Sequence, residues 1–163
     1  MRSRILILGL LFALVGCASA PRPAATPAIF VMRHLHTPAG TKDPDLTAAG
    51  QAAAQSLAVM LDHDRPHAIY VSDTKRARQT AAPLALRIGV VPKVYDPADT
   101  AGLVASVAAE PGTVLIVGHS NTVPEIIERL GGERPADLGH ADFADLWRLA
   151  GSPRVTTRLR IQP

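Results

Sequence analysis

Apolar residues are spread unevenly along this chain. They fall into short, nearly continuous runs separated by alanine-rich or amphipathic stretches. Three runs, 28–33, 68–72 and 113–117, are rich in Ile, Val and Leu and too short for helices. That is the pattern of strands buried on both faces. Between them the pattern changes to helical. Thr47 stands as an N-cap before an alanine-rich helix to about Leu61. A second helix is expected from about Thr74 to Arg87, ending near Gly89. A third spans Ala98 to Ala109 and is stopped by Pro111-Gly112, and a fourth runs from Thr122 to Leu130 into Gly131-Gly132. Val90–Val94 reads as a short strand. Segments 143–149 and 154–161 alternate and favour β-structure, so they are expected as a closing pair of strands, with Trp147 as strand packing. Strands alternating with helices predict a three-layer α/β/α sandwich with a mostly parallel central sheet. With 163 residues, no internal repeat and no second pattern, one domain over 28–163 accounts for the rest.

The first residues read differently. Arg2 and Arg4 precede an apolar run, Ile5 to Gly16, that is short for a membrane span. Residues 1–16 therefore read as a signal peptide. Leu14-Val15-Gly16-Cys17 resembles a lipobox, with Cys17 as the lipidated residue; the plainer alternative is a soluble export signal cut after Ala20, directly before Pro21. Residues 17–27 carry three prolines and read as a lipid-anchored Pro/Ala tether, about 3.1 Å per residue when extended. This places the protein in the cell envelope, on the periplasmic face of the outer membrane if the cell is Gram-negative, since Ala18 is not the aspartate associated with inner-membrane retention. Without Arg2 and Arg4 there remain 15 Lys+Arg against 14 Asp+Glu, a net charge of +1. With aromatics at 4% and no basic stripe, no nucleic-acid partner is expected.

Two of the buried runs end in histidine: Ala28-Ile29-Phe30-Val31-Met32-Arg33-His34 and Thr113-Val114-Leu115-Ile116-Val117-Gly118-His119. Ligand sites in open α/β sheets lie at the carboxyl ends of strands. Arg76 follows the strand at 68–72 and joins them. Arginine's planar fork suits phosphate oxygens, and histidine serves as nucleophile or donor near neutral pH. Arg33, His34, Arg76 and His119 thus describe a site for a dianionic tetrahedral group.

These motifs resemble a known family. Arg33-His34, Asp45-Leu46-Thr47-Ala48-Ala49-Gly50, Ser72…Arg76-Ala77…Thr80 and Gly118-His119 are similar, in order and spacing, to the histidine phosphatase superfamily, with its phosphoglycerate mutase-like fold. Val117 to Pro124 looks like the small bacterial phosphohistidine-phosphatase branch. The resemblance implies that His34 attacks phosphorus and becomes a phosphohistidine, while Arg33, Arg76 and His119 bind the phosphoryl oxygens. No cofactor or metal enters that scheme. The substrate is a phosphorylated small molecule or phosphoprotein, and the short chain predicts an open, shallow site. Leu35 and His36 stand where the family usually has Gly or Ala, often followed by Glu, so Leu35 is expected to narrow the pocket or shift the loop away from the phosphate, and His36 is a candidate substrate contact. The family also uses an acidic residue to protonate the leaving group, and Asp96 is the nearest candidate.

Three other readings stay open. A phosphate-binding envelope lipoprotein without turnover would use the same cations. A serine esterase would use Ser120 in Gly118-His119-Ser120-Asn121-Thr122, although Thr122 stands where a nucleophile elbow needs glycine and the later Asp137 and His140, only three residues apart, are awkward triad partners. A metal site on His34 and His36 lacks an evident carboxylate ligand. His63, His67 and His140 fit no constellation, and Ser72 is expected to support its turn.

Overall fold

The computed structural model describes residues 27–162. The expected signal peptide, Cys17 and all of the tether except Pro27 lie outside the described residues. A six-stranded sheet runs in the order β3-β2-β4-β1-β5-β6, built from β1 (Ile29–Arg33), β2 (Ala68–Ser72), β3 (Lys93–Tyr95), β4 (Val114–Gly118), β5 (Asp145–Ala150) and β6 (Val155–Arg160). The first four pair in parallel; β5 adds antiparallel to β1, and β6 to β5. The sheet is therefore mostly parallel, with the expected closing pair at one edge.

Side-chain alternation divides the core in two. Phe30, Met32, Ile69, Val71, Leu115 and Val117 pack with α1 (Ala48–Met60) and α2 (Lys75–Ile88). Ile29, Val31, Ala68, Tyr70, Val114 and Ile116 pack on the other face with α3 (Thr100–Ala108) and α4 (Val123–Arg129). That is the three-layer arrangement, and it explains why the strands read as unbroken apolar runs: both faces are covered. Each fully buried Leu, Ile or Phe contributes about 1.5–3 kcal/mol. Trp147 lies in the second of these cores.

Element ends differ from expectation by local chemistry. Asp99, not Ala98, starts α3, its carboxylate accepting from the Gly102 N–H at 2.8 Å. Val90 belongs to the end of α2, donating to the Ala85 carbonyl after left-handed Gly89, so β3 begins only at Lys93. Phe143 is not in β5. Ala144 has φ of +68°, which breaks the strand alternation and turns Phe143 toward the carboxyl ends of the sheet strands.

Gly50 in α1 faces the chain just after β1. A Cβ there would stand 2.5 Å from the His36 carbonyl oxygen. In an exposed helix, Gly→Ala stabilises by about 1 kcal/mol. Here the neighbour is backbone, so the sign reverses. Gly50→Ala is expected to destabilise by about 1–3 kcal/mol, lowering the melting temperature by several degrees. A rise in melting temperature on thermal unfolding would refute this packing.

Candidate active site

The parallel pairing of β1 with β4 aligns Arg33 with Gly118. The residues that follow are therefore side by side. The His34 N–H donates to the Gly118 carbonyl at 2.9 Å, and the imidazoles of His34 and His119 stand 5.5 Å apart, centroid to centroid, inclined by 62°. Glycine at 118 leaves room in a crowded turn: a Cβ would press on Thr122 Oγ1 at 3.0 Å and Tyr95 Oη at 3.1 Å, and both would have to give by a few tenths of an ångström. Thr122 Oγ1 in turn accepts from the His119 N–H at 3.0 Å and fixes the turn into α4.

Each histidine is held by one ring nitrogen. His34 Nδ1 lies 2.9 Å from the Leu35 carbonyl oxygen. A carbonyl only accepts, so Nδ1 carries the proton and Nε2 holds the lone pair. His119 Nε2 pairs with Ser72 Oγ at 2.8 Å, and Ser72 Oγ with Thr74 Oγ1 at 3.1 Å. Ser72 thus supports His119 as well as its own turn. Burial first, and then the neighbouring Arg33 and Arg76, push both imidazoles down to about 4. For His34 the Leu35 bond opposes the shift. Both rings are neutral at pH 7.

The arginines are anchored too. Arg33 Nη1 donates to the carbonyls of Gly139 at 2.7 Å and Asp142 at 3.2 Å, and its guanidinium lies 4.0 Å from the centre of the Phe143 ring. Its Nε is buried and has no hydrogen-bond partner among the described residues. Arg76, on the first turn of α2, pairs with Asp43 at 3.2 Å, and Asp43 also accepts from the Lys75 N–H at 3.1 Å. Asp43 therefore joins the loop after β1 to the start of α2.

These groups line a pocket of about 560 Å³ together with Lys42, Ser120, His140, Phe143 and the exposed loop 37–41. Phosphate alone would leave most of it empty, and a small-molecule ligand fits such a volume. Among the described residues no carboxylate lines it.

Four of the expected residues, Arg33, His34, Arg76 and His119, come together here. Others do not. Asp96 is separate: its carboxylate accepts from the Ala98 N–H at 2.9 Å, and it lines a different hollow with Tyr70 and Asp99. The Leu35 side chain is fully buried in the α1/α2 core, so it does not narrow the pocket as expected from sequence. Its N–H donates to Thr80 Oγ1 at 3.0 Å, which explains the spacing from Arg76 to Thr80. His36 stacks against Phe143 at 4.7 Å, behind the pocket lining. Ser120 reaches the pocket, but Asp137 is 90% exposed and pairs with Arg134, so the described residues assemble no serine triad. No three His, Cys, Asp or Glu among them gather as a metal-ligand set. Sequence reasoning missed Asp43, His140 and Phe143. Only the tertiary placement of the loops carrying them marks them out.

Residues 29–98 match the family model of the histidine phosphatase superfamily (branch 1). Over that segment the chain is similar to the histidine phosphatase superfamily. The matched segment holds Arg33, His34 and Arg76; His119 lies beyond it and is brought in by the fold. Among solved structures, the chain resembles a mycobacterial glucosyl-3-phosphoglycerate phosphatase at 20% identity, with a TM-score of 0.65 over 84% of this chain and 99% of that one. It also resembles the protein histidine phosphatase SixA complexed with tungstate, at 16% identity and a TM-score of 0.64 over 82% and 96%. A third, "Mycobacterial hydrolase 1", is 19% identical with a TM-score of 0.64 over 83% and 98%. These likenesses carry the fold. No curated protein sequence matches the chain.

The neutral histidines have a consequence for stability. Unfolded, each imidazole titrates near 6.5; folded, near 4. Between those values the unfolded chain binds more protons, so stability falls as pH drops from about 6.5 toward 4. Urea unfolding at pH 7, 5.5 and 4.5 should show that loss. The double variant His34→Gln/His119→Gln should flatten it, and an unchanged slope would show that these rings are not the cause.

Proposed function

We propose that the protein is a phosphatase acting on phosphomonoesters or phosphohistidine, with His34 as the nucleophile. One observation carries this reading: a neutral imidazole, its Nδ1 proton committed to a backbone carbonyl, stands in a pocket walled by Arg33, Arg76, Lys42 and His119 with no carboxylate among them. Such a pocket selects a dianion and presents it to a free Nε2 lone pair. In-line attack by Nε2 forms the N–P bond as the ester P–O bond breaks. Water then attacks the phosphohistidine, releasing inorganic phosphate and restoring the imidazole. Arg33, Arg76 and His119 hold the phosphoryl oxygens and offset their charge, the part a metal plays in other phosphoryl transfers. The substrate is a phosphorylated small molecule or a phosphoprotein. The structural resemblance to two named phosphatases, one of them holding the oxyanion tungstate, supports this reading.

A second reading follows from the same geometry. Arg76 is paired with Asp43, and Arg33 Nη1 is committed to the loop carbonyls. A phosphate-binding envelope protein without turnover would also be built this way. The N-terminal sequence supports an exported protein held in the envelope by a lipid on Cys17.

Purified full-length protein in mild detergent should hydrolyse p-nitrophenyl phosphate equally with and without EDTA. His34→Ala should abolish turnover, and Arg76→Ala should lower it by about 10²- to 10³-fold. Vanadate binding without any hydrolysis would favour the binding protein. An esterase activity lost in Ser120→Ala would overturn both readings. For the anchor, Cys17→Ala should move the protein from the membrane fraction to the soluble one; a mature N-terminus at Pro21 would refute lipidation.

A further inference from the structure

The phosphatase reading leaves one proton without a donor. An alkyl ester departs as an alkoxide unless a proton reaches the leaving oxygen, and among the described residues no carboxylate lines the pocket. Asp96 and Asp99 are engaged at the start of α3, away from the pocket. Asp43 is held by Arg76 and the Lys75 N–H. His34 is spent on attack and on the Leu35 carbonyl, and His119 Nε2 is paired with Ser72. Lys42 lines the pocket as a strongly hydrated point charge.

His140 is the remaining proton-transfer group on the pocket wall. It is exposed, and no hydrogen bond engages its ring among the described residues. Its loop is nonetheless fixed. Arg33 Nη1 donates to the carbonyls of Gly139 and Asp142, with a longer contact of 3.4 Å to that of His140 itself. The Gly139 N–H donates to Asp142 Oδ2 at 2.7 Å, closing the loop on itself. The residue beside the nucleophile therefore holds the His140 loop against the pocket. A free imidazole on a pinned loop at the mouth meets the leaving group, since the phosphoryl end is occupied by the deeper His34 and arginines.

We propose that His140 is the general acid that protonates the leaving oxygen and then the base that activates water; this rests on the phosphatase reading above. As the P–O bond breaks, its electron pair takes the His140 proton and the alcohol departs. In the second step water gives a proton to neutral His140, its oxygen bonds to phosphorus, and the N–P bond electrons return to His34. Acid and nucleophile end as they began, and one water is consumed.

The test compares leaving groups. Full-length wild type, His140→Ala and His140→Gln are assayed for kcat/KM on p-nitrophenyl phosphate, which needs little acid, and glycerol 2-phosphate, which needs much. Both variants should lose about 10²-fold or more on the alkyl ester and less than about tenfold on the aryl ester. Across a series of esters, kcat/KM should become more steeply dependent on leaving-group basicity. Equal losses on both substrates, or no loss on either, would overturn the role of His140 while leaving the phosphatase reading intact. So would a wild type that hydrolyses only aryl esters. A wild type that hydrolyses neither removes the phosphatase reading and this proposal with it.

Discussion

The register between β1 and β4 is the constraint on which this site depends. Because the strands are parallel and Arg33 lies opposite Gly118, the next residue of each is a histidine at the same level. A slip of one residue would turn Phe30 and Met32 out of the α1/α2 core and carry His34 to the opposite face. The apolar alternation that drives folding therefore also fixes the spacing of the two imidazoles. Stability and site geometry have one origin.

Around that pair the structure spends backbone groups rather than side chains. The Leu35 carbonyl sets the tautomer of His34, the Gly118 carbonyl accepts from its N–H, and the carbonyls of residues 139–142 hold Arg33. The charges that face the pocket are therefore uniformly positive. Burial and the two guanidiniums keep both imidazoles neutral. A dianion entering such a place meets Arg33, Lys42 and Arg76, the last shared with Asp43, and an imidazole that holds a lone pair at pH 7.

The motif residues that surround the site each answer a specific requirement. Thr47 caps α1, accepting from the Gly50 N–H at 3.1 Å, and Gly50 lets that helix approach the His36 carbonyl. Thr80 receives the Leu35 N–H and donates to the Arg76 carbonyl, tying the loop after β1 to α2. Gln79 accepts from the Leu46 N–H at 2.8 Å. These bonds stitch two segments far apart in sequence into one wall.

The sequence by itself determined the strands and helices, apart from their ends, and singled out four residues that the fold brings to one pocket. Periodicity reports which faces are buried, and an arginine or histidine ending a buried run is too costly to be incidental. It did not determine where the side chain of Leu35 goes, which turns on Thr80 drawing the backbone of the loop inward. Nor did it place Asp96, whose nearness to β3 in sequence suggested the pocket although the turn into α3 engages its carboxylate. His140 and Phe143 lay outside any pattern because their loop is positioned by Arg33, more than a hundred residues away along the chain. Local pattern fixes what each element is. Which loop closes over the pocket depends on contacts between distant segments, and these exist only in the folded chain.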